Sequence, residues 1–262
     1  MRSKTITNKH SIEQYLLNFP NLNYYHIGDL DDFFWPHTTW YANKKEKDIN
    51  AICLLYSGFE PPSFLCIFNE NKTEMEELII DIIPSLPDEF YAHFSPGLED
   101  LFEPYYQLEH HGEYEKMYVD KADFIEFPDR KPAENLTSSN LSETQEFFDK
   151  AYPGNWFGSR MLETGQYMGI RNDAGDLICV GGVHVYSEKY DIAVIGNIAT
   201  LPDQRKQGLG TSLLNALCKK LFSKVSGIGL NVRSDNKSAI DIYEKLGFRF
   251  QAKYHEWMLT RK

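Results

Sequence analysis

"LPDQRKQGLGTSLLNALCKKL", residues Leu201–Leu221, places two glycines in a basic, polar loop that runs straight into a leucine-striped helix. Leu213, Leu214, Leu217 and Leu221 recur at the spacing of one helix face, which predicts a helix beginning just after Gly208. A helix start presents backbone N–H groups that no earlier carbonyl accepts, together with a partial positive charge, and so favours an anion. Gly208 and Gly210 lack the Cβ atoms that would hold a phosphate off, Arg205 and Lys206 add charge-assisted contacts, and Thr211 and Ser212 add hydroxyl donors. A dinucleotide fingerprint does not fit, because Leu213 stands where its third glycine belongs, and a P-loop is excluded because no Gly-Lys-Ser/Thr follows. Taken in isolation, a Gly-x-Gly reads first as a plain helix start with flexible glycines.

Working outward, "YDIAVIGNIAT" before the loop and "GIGLNVR" after the helix read as strands, the latter because Ile228, Leu230 and Val232 alternate with Gly229, Asn231 and Arg233. "SETQEFFDKAY" and "KSAIDIYEKLG" read as helices, and "GQYMGIRN", "DLICVGGVHVYS" and "FQAKYHEWMLT" as strands. "RNDAGDL" supplies the Asn, Asp and Gly of a hairpin turn. The first half repeats this order with strands "TTWYANK", "NAICLLYSG" and "SFLCIFN", helix "EMEELIIDII", strand "EFYAHFS", helix "GLEDLFEPYY" and strand "EYEKMYV". The recurrence predicts a duplicated β/α unit. At the equivalent loop the first half has no glycine, and Glu74, Glu76 and Glu77 at the helix start repel a phosphate.

The chain has 262 residues and a net charge of −11. Residues 1–115 hold 7 Lys and Arg against 20 Asp and Glu, and residues 116–262 hold 20 against 18, so the acidity belongs to the first half. That charge argues against nucleic acid as a partner. No apolar run approaches the roughly 20 residues of a membrane span, and the N-terminus has no signal-peptide pattern. Cys53, Cys66, Cys179 and Cys218 are scattered through apolar surroundings without metal-ligand spacing, as expected of buried, reduced thiols. A cytoplasmic protein, monomer or homodimer, with no metal and no membrane partner is the expectation.

"NIATLPDQRKQGLGTSLLNAL" resembles the acetyl-CoA signature of the GNAT superfamily of acyltransferases, with Arg205, Gly208 and Gly210 in the R/Q-x-x-G-x-G/A pattern and Pro202 in the preceding turn. "NKSAIDIYEKLGFRF" is similar to the superfamily's second hallmark through Asn236, Ala239, Tyr243, Gly247 and Phe248. The resemblance covers roughly residues 130–262. Within the superfamily, "ATLPDQRKQGL" and the duplication resemble the glycine N-acyltransferase-like branch. The implied fold is α/β, two tandem mixed-sheet units, with a degenerate N-terminal domain at 1–115, a connection at 116–135 and a catalytic domain at 136–262.

The resemblance implies an N-acetyltransferase that moves an acyl group from acetyl-CoA, or another acyl-CoA, to the primary amine of a small molecule or amino acid. The backbone of Ile198, Ala199 and Thr200 is implied to pair with the pantetheine, and Arg205, Lys206, Gln207, Gly208, Leu209, Gly210 and Thr211 to hold the diphosphate. Asn236 is implied to bond the pantetheine arm, with capping of the following helix as an alternative. Tyr243 matches the general acid for the departing thiolate, with a core tyrosine as the alternative. The glutamate of many relatives, six residues before Thr200, is replaced by Val194. His184 is then a candidate base by its imidazole chemistry, a structural histidine being the alternative, and Asp191, Glu163 and Glu256 are weaker options. Trp156 and Phe157 suit the lip of an acceptor pocket or plain packing. Two other readings stay open: an acetyltransferase of a protein or peptide amine, and a CoA-binding regulatory module without catalysis.

Overall fold

In the computed structural model, which describes residues 4–46, 48–128 and 131–262, two similar successions of elements follow one another. The first pass is β1 (Thr5–Ile6), α1 (Lys9–Leu16), α2 (Tyr24–Gly28), β2 (Thr38–Lys45), β3 (Asp48–Tyr56), β4 (Ser63–Cys66), α3 (Lys72–Ile82), β5 (Glu89–Phe94) and β6 (Tyr106–Asp120). The second is β7 (Glu134–Leu136), α4 (Leu141–Ala151), α5 (Ser159–Glu163), β8 (Tyr167–Arg171), β9 (Leu177–Ser187), β10 (Ile192–Thr200), α6 (Leu209–Phe222), β11 (Gly227–Arg233), α7 (Lys237–Lys245) and β12 (Arg249–Arg261). β4–β5 and β10–β11 pair in parallel, because α3 and α6 carry the chain across between them, whereas hairpin neighbours such as β2–β3 and β9–β10 pair antiparallel. The fold is α/β with two tandem mixed-sheet units, as the sequence led us to expect. Of the predicted connection, Asp129 and Arg130 lie outside the described residues.

One compact unit comprises residues 1–116, Val232–Asn236 and Phe250–Lys262, and the other comprises Met117–Asn231 and Lys237–Arg249. The first has the strand order β1-β2-β3-β4-β5-β12-β6. Its core forms where Met75, Leu78, Ile79 and Ile82, one face of α3, pack on Cys53, Phe64, Cys66, Phe90 and Phe94. The helix expected over "GLEDLFEPYY" shrinks to a single 3-10 turn at Glu99–Leu101. Phe102 is fully buried and stacks on Phe94 at 4.7 Å, and Pro104 has no N–H to continue a helix. Burial of that ring overrides the local helical pattern.

The second unit has the order β6-β11-β10-β9-β8-β7, with only the last residues of β6 belonging to it. The leucine stripe of α6 is buried, and Asn215 on the same helix exchanges two hydrogen bonds with the Phe127 backbone, at 2.7 and 2.8 Å. The predicted hairpin turn closes as Asn172 Oδ1 accepts from the Ala174 and Asp176 amides. Arg171 beside it forks onto both oxygens of Glu143 at 2.8 Å, holding that carboxyl down at about 2. All four cysteines are free and buried. Among the described residues no helix is long and apolar enough to cross a membrane, and no group of His, Cys, Asp and Glu is placed to hold a metal ion.

α7 ends in a Schellman closure: the Phe248 N–H returns to the Tyr243 carbonyl at 3.0 Å while Gly247 takes a φ of 100°. A Cβ at Gly247 would also overlap the Asp123 carbonyl. Gly247→Ala is therefore expected to destabilise the second unit by at least about 1 kcal/mol, through left-handed strain and the clash together. Urea denaturation should give a lower midpoint at an unchanged slope.

Candidate active site

β10 and β11 pair only at Ile192↔Gly227, Ala193↔Ile228, Val194↔Gly229 and Ile195↔Leu230. Beyond Ile195, β10 runs on for Gly196–Thr200 paired with β9 alone, so the two parallel strands splay. The divergence coincides with a β-bulge, where β10 advances from Gly196 to Ala199 while β9 steps only from Gly182 to Val180. Asn197 absorbs the extra residue at a φ of 53°, a conformation asparagine tolerates better than most side chains.

Packing fixes that bulge. The buried Asn197 amide donates to the Tyr167 hydroxyl at 3.2 Å and to Met161 Sδ at 3.4 Å. The Tyr167 ring occupies the place a Cβ on Gly182 would take, and Phe157 packs tilted against Phe148 at 4.9 Å and edge-on to Tyr167 at 5.5 Å. Phe157 thus belongs to the support of the bulge, while Trp156 beside it is 36% exposed. Neither Asn197 nor Tyr167 was singled out from the sequence. An asparagine inside an apolar strand pattern was the available signal.

At the end of the splayed strand the chain passes through a 3-10 turn, Pro202–Gln204, into the glycine loop. Lys206 and Gly208 take left-handed conformations, φ 64° and 76°, and Gly208 is the N-cap of α6 without a side-chain cap. Ser212 N–H is the first to reach back, to the Gly208 carbonyl at 3.0 Å, so Leu209, Gly210 and Thr211 present the open N–H donors of the first turn. Gly208 is explained by its backbone. Gly210 is not: its φ is ordinary, and an added Cβ would meet nothing nearer than Thr200 Oγ1 at 3.8 Å. No packing demand of the chain itself requires glycine there.

Other loop residues take specific places. Arg205 donates from Nε to the Thr200 carbonyl and from Nη2 to the Ala151 carbonyl, each at 3.2 Å, clamping the loop to β10 and to the end of α4. Leu209 is buried and offers only its backbone, whereas Lys206 and Gln207 are exposed. The Ser212 hydroxyl exchanges hydrogen bonds with the Lys131 backbone at 3.2 and 3.3 Å, which occupies it structurally.

Tyr243 is 8% exposed on α7, where Ile240 and Leu246 share its buried face. Burial first, then the neighbouring Cys218 and Tyr152, push its phenol well above the usual tyrosine range, so it stays protonated. Tyr152 follows Ala151, the residue that Arg205 clamps, and this brings Tyr243 to the loop's end of α4. His184 on β9 is half-buried, its ring filling the place a Cβ on Gly196 would take. It shares a strand face with Gly182 and hence with Tyr167, opposite the face on which Ile198 and Leu213 of α6 pack at Gly181. Asn236 is exposed in the turn after β11 and belongs to the first unit. Val194 is fully buried core. Of the weaker base options, Glu163 is exposed, Asp191 accepts the Ser226 N–H at 2.7 Å, and Glu256 lies in the first unit hydrogen-bonded to two tyrosines.

With this geometry in place, comparison with known proteins is informative. Residues 133–248 match the family described as acetyltransferase (GNAT). A 59-residue stretch is 46% identical to the [ribosomal protein bS18]-alanine N-acetyltransferase of Escherichia coli K12, covering 22% of this chain and 40% of that protein. The chain thus spans about two-fifths of the length of the curated relatives it matches there. A Drosophila protein of known structure superposes over 98% of this chain and 97% of its own with a TM-score of 0.71 at 13% identity. A tandem GNAT protein from the clavulanic acid biosynthesis pathway covers 97% and 96% with a TM-score of 0.56, also at 13% identity. These two likenesses establish the tandem fold.

Tyr167→Phe removes the hydroxyl oxygen that accepts from the buried Asn197 amide. A loss of about 1–3 kcal/mol is expected, the cost of an unsatisfied buried donor, measured by urea denaturation.

Proposed function

From the match of residues 133–248 to the GNAT acetyltransferase family, we propose an enzyme that transfers an acyl group, most simply acetyl, from acyl-CoA to the primary amine of a small molecule or amino acid. Gly210 carries this reading. It is a glycine that neither backbone conformation nor packing demands, on a helix start whose N–H groups are open, beside a strand edge that has parted from its neighbour. The diphosphate takes the Leu209, Gly210 and Thr211 amides, with Lys206 adding charge from outside. Arg205 acts as a positioning residue that holds the loop on β10 and α4, and the amides of the pantetheine pair along Ile198–Thr200.

The neutral amine attacks the thioester carbonyl, forming the N–C bond, and a backbone N–H near Thr200 receives the developing oxyanion. Collapse of the intermediate breaks the C–S bond, the amine proton leaves to His184 or water, and the thiolate takes a proton. Tyr243 faces this last step as a donor. Its phenol is far weaker as an acid than a thiol, whose usual pKa is about 8.5. Its contribution is therefore a hydrogen bond to the departing sulfur, with protonation completed from solvent. Holding both reactants in one groove supplies several kcal/mol more, on the order of 7 in favourable intramolecular cases.

A second reading, with the α-amine of a protein or peptide as acceptor, is favoured by the short stretch of 46% identity to an alanine N-acetyltransferase. Mass spectrometry after incubation with acetyl-CoA and a mixture of amines, amino acids and peptides separates the two by which product gains an acetyl group. Absence of both acetylated product and free CoA thiol would reject transfer altogether.

Gly210→Ala should weaken acetyl-CoA binding about ten-fold while leaving the urea midpoint unchanged or raised, since alanine is the better helix former. Tyr243→Phe should lower kcat on the order of 100-fold with little change in acetyl-CoA affinity, as steady-state kinetics and calorimetry would record.

A further inference from the structure

The first unit buries ionisable side chains for which acyl transfer has no use. Lys116 on β6 is 2% exposed, and its Nζ lies 4.1 Å from the ring centroid of Tyr24, 5.2 Å from that of Tyr25 and 5.7 Å from that of Tyr254. Three ring faces offset part of the desolvation of an ammonium, but they are not a counter-ion. The nearby carboxylate is engaged elsewhere: Glu256 accepts from the Tyr91 phenol at 2.5 Å and the Tyr254 phenol at 2.7 Å, and His93 Nε2 stands 3.5 Å from it. Burial alone lowers the Lys116 amine to a pKa of about 7, whereas a paired carboxylate would have opposed that fall.

His26 on α2 is a second unmatched group. It is 1% exposed, and among the described residues neither ring nitrogen has a hydrogen-bond partner, with the Leu65 backbone lying beside the ring. Burial and the neighbouring Lys116 hold it neutral, with a pKa down at about 3. A neutral imidazole keeps one N–H to donate. A buried amine held against ring faces and a buried imidazole whose nitrogens lack a hydrogen-bond partner carry a desolvation cost that one shared anion reduces.

We infer that the first unit holds a binding site for a small monocarboxylate, whose oxygens accept from the Lys116 ammonium and the His26 ring N–H within the cage of Tyr24, Tyr25 and Tyr254. One ammonium matches one negative charge. A phosphate dianion would leave a surplus charge buried, because His26 cannot supply a second positive one. The tyrosine rings suit the short apolar remainder of such an acid.

The test uses the full chain and acetate as probe, with chloride at equal ionic strength as the reference. Ten-fold tighter binding of acetate to charged than to neutral Lys116 raises the amine's titration midpoint by about one pH unit, followed by NMR of isotope-labelled lysine. Acetate should also raise the thermal midpoint in proportion to its binding. Lys116→Met should abolish the acetate-dependent rise, and His26→Phe should reduce both the rise and the shift of the Lys116 midpoint. A Lys116 midpoint that acetate does not move, or a Lys116→Met protein that keeps the full acetate response, would overturn the site.

Discussion

The geometry of the second unit depends on one buried hydrogen bond, from the Asn197 amide to the Tyr167 hydroxyl. It holds one residue of β10 in a left-handed conformation and accommodates the extra residue that coincides with the parting of β10 from β11. Everything the candidate site needs follows from that parting. Residues Gly196–Thr200 keep β9 on one side and have no β11 register on the other, and the loop after Thr200 can then fold back, clamped by Arg205, to set Gly210 beside the strand end.

The first unit follows a similar succession of elements without this device. β4 is four residues long and pairs with β5 through its last residue, Cys66↔Phe94, so no strand edge opens. Asn71, the residue before α3, is turned inward, its amide donating to the Tyr15 hydroxyl at 2.8 Å and to the Asn50 carbonyl. Glycine is missing from that loop and Glu74 stands in the first helical turn, where its charge disfavours a phosphate. The first unit has a packed core of its own, and lysine, histidine and tyrosine gather elsewhere within it.

Much of this was legible in the sequence where local periodicity is strong. β11 matches its expected residues, α6 begins one residue after Gly208, and Tyr243 falls on the buried face of α7. What was hidden came from contacts distant in sequence. The Arg205 guanidinium spans two backbone carbonyls and Ser212 is tied to Lys131, pairings no motif encodes. Helices α1 and α2 went unread because eight and five residues are too few for a helical stripe to stand out. The Lys116 cluster was invisible for the same reason, being assembled from α2, β5, β6 and β12.

The central claim is that the splayed strand and the α6 start form the acyl-CoA site and that the first unit has none. Isothermal titration of the full chain with acetyl-CoA measures this most directly. One site per chain is predicted. Two sites per chain, or none, would contradict it.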